Sequence, residues 1–165
     1  MAWHATGSYV NGQFLEDALS NTVAFDLVQA GTTTLEVRMF DETIASQDPD
    51  ASETYGSGAY VVGDEVADSG DYVAATPLTL TGTTLTSASG NLIFDESDLT
   101  MAWTGVTWAD GAAPIGCIVS DSALSDRVLC AIKFGAADIP VSSGTFTITW
   151  DASLGIFYAD YRTDV

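Results

Sequence analysis

Positive charge is what this chain has least of. Four Lys and Arg residues stand against 23 Asp and Glu, a formal net charge of -19 over 165 residues. Arg38, Arg127, Lys133 and Arg162 are too few to neutralise a run of phosphates, which argues against direct binding to DNA, RNA or an anionic membrane surface. Histidine is represented by His4 alone and cysteine by Cys117 and Cys130, so the Cys/His pairs of a structural zinc site are missing. A lone histidine near the terminus, without a G-x-S-x-G turn, gives no footing for a nucleophile–base triad. No apolar run approaches the ~18–20 residues of a membrane span. The first residues lack the basic start and apolar stretch of a secretory signal, and the expectation is a protein made and assembled in a cytoplasm.

What is present is acid, β-branched residues and aromatics. Excess acid keeps a surface soluble, suits high salt where self-repulsion is screened, or faces a basic partner; composition does not separate the three. At 47% hydrophobic the chain is ordinary for a globular domain, and its length predicts one domain with a sizeable core.

Periodicity predicts strands. Leu35, Val37 and Met39 alternate with Glu36 and Arg38; Leu99, Met101 and Trp103 alternate with Thr100, Ala102 and Thr104 until Gly105, a candidate bulge. Phe146, Ile148 and Trp150 alternate with Thr145, Thr147 and Thr149. The segment 59–62 reads as a short strand, and Leu78 and Leu80 are expected to face inward with Gly82 as a turn. Asn11-Gly12 has the chemistry of a two-residue hairpin turn, while Phe14, Leu15, Ala18 and Leu19 suit one or two helical turns. Residues 41–58 form a long polar loop. The fold class expected is all-β, an antiparallel β-sandwich of jelly-roll type, with an N-terminal arm or helical turn over 1–30 and a single sandwich domain over 31–165.

The hairpin of 115–119 with 128–134 is expected to turn at 121–126. If Asp121 faces Asp126, Cys117 lies directly opposite Cys130, and the pair is either core thiols or a cross-strand disulfide. Asp48, Asp50, Ser52 and Glu53, and again Asp95, Glu96 and Asp98, are acidic clusters without the full spacing of a calcium loop, and no metal or other cofactor is expected. Carboxylate pairs are too common in this chain to mark a glycosidase. Trp103, Trp108, Trp150 and Phe157 alternate within strands, the pattern of core or subunit interface before that of a sugar-stacking face.

Three stretches resemble a known family. Asp68-Ser69-Gly70-Asp71-Tyr72, running on to Leu80-Thr81-Gly82, is similar to the G-Y-x-x-G-G-x-x-L-T-G segment of small structural proteins of tailed phages. Phe94-Asp95-Glu96-Ser97-Asp98-Leu99-Thr100 resembles their F-D-A-x-D-V-T-W segment. Lys133-Phe134-Gly135, then Gly144-Thr145-Phe146-Thr147-Ile148-Thr149-Trp150 and Gly155-Ile156-Phe157, resembles their D-F-G … G-x-F-T-I-x-W … G-I-F ending. Order and spacing agree from about residue 68 onward. Ala74-Ala75 replaces the paired glycines, Met101 the expected tryptophan and Lys133 the expected aspartate.

The resemblance implies a non-enzymatic virion component with no catalytic residues to carry over. The acidic surface then points to a decoration or cement protein on the outer face of the head. Its expected partners are sister copies, as a trimer or other cyclic oligomer, and the major capsid protein. The arm 1–30 or the 41–58 loop is expected to clamp the shell, and the expected interface residues are Trp3, Tyr9, Phe14, Leu15, Tyr55 and Tyr60. The alternatives are a tail or neck protein, or an adhesin holding host glycans.

Overall fold

The computed structural model of the chain describes residues 8–28, 34–45, 47–51, 53–88, 91–95, 100–151 and 155–160. Ten strands and one α-helix lie there: β1 (Tyr9–Val10), α1 (Gly12–Ser20), β2 (Leu35–Phe40), β3 (Leu78–Thr79), β4 (Thr84–Ala88), β5 (Asn91–Asp95), β6 (Thr100–Trp108), β7 (Gly116–Asp121), β8 (Arg127–Lys133), β9 (Val141–Thr149) and β10 (Phe157–Asp160). All pairings are antiparallel, in three sheets ordered β1-β8-β7-β2-β3, β10-β5-β4 and β6-β9. The chain is all-β, in a sandwich-like arrangement.

Period-two patterning explains the main core. Leu35, Val37 and Met39 of β2, with Cys117 and Val119 of β7, point to one side of the large sheet. There they meet Phe94 of β5, Trp103 and Trp108 of β6, and Phe146 of β9. Gly105 takes φ 67° where the β6–β9 register shifts between Trp103 and Val106, so both Trp103 and Val106 turn inward. Tyr72 packs edge-on against Trp103 and Trp108 at centroid distances of 5.8 and 5.6 Å. Gly70 makes this approach possible: a Cβ there would lie 2.1 Å from the Thr104 carbonyl oxygen.

The opposite side of the large sheet is covered as well. Phe40, Ile118, Val128 and Ala131 pack under Ile44 and Tyr60, which belong to the loop after β2. Every residue of β7 is therefore buried. Fully burying a side chain the size of Phe40 contributes about 1.5–3 kcal/mol, so this second cluster is a substantial part of the fold.

Several expectations are corrected. Asn11-Gly12 is no hairpin turn: the Asn11 side chain accepts from the Phe14 N–H at 3.0 Å and caps α1, which ends at Asn21 in the left-handed region. Residues 59–62 form no strand: Tyr60 bridges back to Ser57 across a tight turn, and Val62–Asp64 is a 3₁₀ turn. Leu80 is buried as expected, but Leu78 sits on the outermost strand and is exposed. Within residues 1–30, β1 pairs with β8 and Phe14 lies in the main core. An Arg127–Asp17 ion pair ties α1 to the β7–β8 hairpin.

That hairpin also departs from the expected register. Asp121 caps the 3₁₀ turn Ser122–Leu124, and Ser125 and Asp126 both take positive φ, so Asp121 faces Arg127. Leu129 is then the extra residue of a bulge between the Val119–Cys130 and Ser120–Val128 pairs. Cys117 consequently faces Ile132 rather than Cys130, and both thiols are free and buried. Ile115 and Val128 lie in the second cluster, on the side of the sheet away from the cysteines.

Candidate functional site

Gly135 ends the run of β8, and the chain returns as β9 paired with β6 rather than with β8. A groove of roughly 540 Å³ opens between the two strands. Residues 145–151 line it without a break, the outward threonines and the inward Phe146, Ile148 and Trp150 alike, as happens when a groove runs along a strand edge. Ile132, Phe134 and Ile139 form the facing wall. A further recess of roughly 420 Å³ shares Ile132, Asp151, Gly155 and Ile156 and reaches Tyr9 and Val10 of β1. Asp151 is the one charged residue among the described residues lining either space.

One end of the groove is set by a close backbone approach. Gly155 has φ 66°, and a Cβ there would stand 2.3 Å from the Phe94 carbonyl oxygen. Its N–H donates to the Asp151 carbonyl at 2.8 Å, and the Ile156 N–H to that of Phe94 at 2.9 Å. The arrangement offers apolar surface and main-chain edge, the means of binding an extended or apolar group.

Two tyrosine–carboxylate clasps hold the loop that covers the opposite face. In the first, the Tyr9 hydroxyl donates to Glu53 at 2.9 Å and lies 2.5 Å from the Tyr60 hydroxyl, while Glu53 also accepts from the Asp48 N–H at 2.9 Å. Burial raises the pKa of both tyrosines and of the Glu53 carboxyl. In the second, buried Glu65 accepts from Tyr72 at 2.6 Å, Tyr55 at 2.7 Å and the Ala75 N–H at 3.1 Å. Burial also raises both of these tyrosines. Arg38 stacks 3.8 Å over the Tyr55 ring, donates to Ser120 at 2.9 Å and pairs with Glu36 at 2.7 Å. Its buried Nε has no protein partner.

The expected interface residues are scattered by the fold. Phe14 and Tyr60 are 1% and 0% exposed, consumed by the cores of their own chain, so neither is a contact surface for another. Tyr9 and Tyr55 are half-buried members of the clasps, and Leu15 is exposed on α1. Trp3 and His4 lie outside the described residues. Within 41–58, Ile44 and Tyr55 pack against the large sheet of their own chain. Trp103, Trp108 and Trp150 are core residues at 4–6% exposure, which takes them away from any sugar-stacking face.

Asp48, Asp50 and Glu53 are engaged in local turn bonds; Ser52, Glu96 and Asp98 lie outside the described residues. Among the described residues no group of three or more His, Cys, Asp or Glu side chains is placed to hold a metal. None of their helices is long and apolar enough to cross a membrane. Burial pushes the Cys117 thiol well up and the Cys130 thiol up to about 12, leaving both poor nucleophiles.

Sequence reasoning missed the groove, Arg38 and Glu65. Glu65 lies in an acidic, turn-rich stretch whose pattern gives no hint of burial. Phe134-Gly135 was the available signal for the groove, an apolar strand end released by glycine. Comparison with known protein families, with curated proteins and with solved structures finds no match to this chain.

Proposed function

We propose that this chain is a non-enzymatic structural protein of a tailed virus particle, a decoration or cement protein that reinforces the outer face of the head as a trimer or other cyclic oligomer. The observation that carries the reading is the layout of charge. Arg38 is 5% exposed and paired with Glu36, and Arg127 is paired with Asp17, so half of the four basic residues are spent inside the fold. The surface is left strongly anionic, which repels packaged nucleic acid and suits the outside of a shell. The resemblance of 68–82, 94–100 and 133–157 to phage structural proteins points the same way.

In this reading the protein does no chemistry. Burial on both sides of β7 makes a stiff sheet, and stiffness limits the conformational entropy lost when copies associate. Quantitative mass spectrometry of purified virions, with native mass spectrometry of the isolated protein, tests it. The expected result is a cyclic oligomer whose copy number scales with the number of shell subunits. A ring at a few copies per particle would move the protein to the neck or tail. Absence from virions would overturn the reading.

A further inference from the structure

The geometry points to a docking site on β9 for an extended, basic segment of a partner protein, added as a new strand along the edge that faces the groove. The inference rests on the reading above only for where the partner is found, among the proteins of the shell.

The first support is the edge itself. Among the described strands β9 pairs with β6 alone, and Thr145–Thr149 of β9 line the groove along the side away from β6. Exposed edges are usually blunted by lysine or proline, which block the addition of a further strand. Residues 141–151 contain no Lys, Arg or Pro. This edge is left able to pair.

The second support is the floor. A strand laid along residues 145–149 would run for about 17 Å, and every second side chain would point down. Below it lie Phe146 and Ile148 from β9, with Ile132 and Phe134 across the groove. Main-chain bonds to an edge give affinity, and pockets for alternate side chains give selectivity.

The third support identifies the occupant. The groove carries Asp151 at its end and sits on a chain of net charge -19. A cationic segment is drawn to that field, and an anionic one is repelled. A second copy has no cationic strand to offer: Arg38 and Arg127 are committed to Glu36 and Asp17, and Lys133 and Arg162 are far apart in sequence. The occupant is therefore a different chain, with apolar residues at alternate positions and Lys or Arg beside them.

A displayed library of random dodecapeptides, panned at low salt on the purified full-length protein, tests this. Thr147→Lys serves as counter-target, since Thr147 is exposed and points away from the core; Thr145→Lys replaces it if circular dichroism shows that variant misfolded. Enriched peptides are expected to alternate apolar residues with net positive charge. They should bind the parent at least about tenfold more tightly than the lysine variant, weaken on adding salt, and slow amide exchange over residues 145–149.

Neutral or acidic winners, equal binding to the variant, protection elsewhere on the molecule or no enrichment would each overturn the inference. So would full protection of those amides in the free protein, which would assign the edge to the chain itself or to a second copy. A protein present in virions that selects no such peptide keeps the structural reading and loses this inference. A protein absent from virions that does select them keeps the docking site and loses the reading.

Discussion

The two faces of the large sheet are sealed by different means. On one, strands from the smaller sheets bring Phe94, Trp103, Trp108 and Phe146 against it, an apolar layer set by alternation along each strand. On the other, a polar loop is folded down and pinned by Tyr9–Glu53–Tyr60 and Tyr55–Glu65–Tyr72. The strand-covered face gains its stability from area removed from water. The loop-covered face depends also on hydrogen bonds whose loss leaves buried groups unpaired. An acidic chain with little basic charge can use its carboxylates inside the fold only if neutral hydroxyls and main-chain N–H groups satisfy them, and tyrosine supplies a hydroxyl on a large apolar body.

The largest effect is expected on the strand-covered side. Phe94→Ala should cost about 3–5 kcal/mol through transfer and cavity terms, read as a lowered urea midpoint in tryptophan fluorescence. Tryptophan is the apt probe because Trp103, Trp108 and Trp150 all belong to that core. Glu65→Leu comes next, at about 3 kcal/mol, because it orphans the Tyr55 and Tyr72 hydroxyls and the Ala75 N–H. Since Tyr72 belongs to the strand-covered core and Tyr55 to the loop-covered one, both faces should loosen together in amide exchange. Protection lost on one face alone would show that Glu65 does not couple them.

Smaller effects separate the two faces further. Tyr60→Phe keeps the apolar contact and deletes one hydroxyl; about 1 kcal/mol is expected, with exchange quickened over 48–60 and unchanged over β6 and β9. Ala75 sits at φ 58°, where a non-glycine residue is strained. Ala75→Gly should therefore raise the melting temperature, by about 0.5–1 kcal/mol of stability.

The last prediction concerns pH. Burial raises the Glu53 pKa in the folded chain above its unfolded value, so the folded state binds the proton more tightly. Ionisation of Glu53 therefore costs stability above that raised pKa, and the cost is relieved as pH falls through it toward the ordinary carboxylate value. Glu53→Gln should remove this increment, so the variant's stability relative to the parent should rise as pH climbs through the raised pKa. A curve identical to the parent's would show that Glu53 ionises as freely folded as unfolded.

Much of the strand-covered face was legible in advance. Alternation predicted β2, β6 and β9, the spacing of Phe14 and Ala18 predicted α1, and Gly105 was readable as a bulge. The Cys117–Cys130 register was not, because it depends on Leu129 bulging out after two residues of positive φ, and neither Ser125 nor Asp126 announces that conformation. The second face was hidden for another reason. Residues 41–65 are polar, and polarity reads as a solvated loop until the partners that satisfy it, Tyr9 and Tyr72 among them, are seen from elsewhere in the chain.

By itself, then, the sequence determined the class of fold, the strands whose two sides differ in polarity, and the sign of the surface. These follow from local periodicity and from a count of charges, which need no knowledge of distant neighbours. Tertiary structure alone decided that β7 is buried on both sides, that Glu65 and Arg38 are interior, and that β8 and β9 stand apart with a groove between them. Each of these is a fact about which strands pair, and pairing is set by non-local packing that a pattern of period two leaves open.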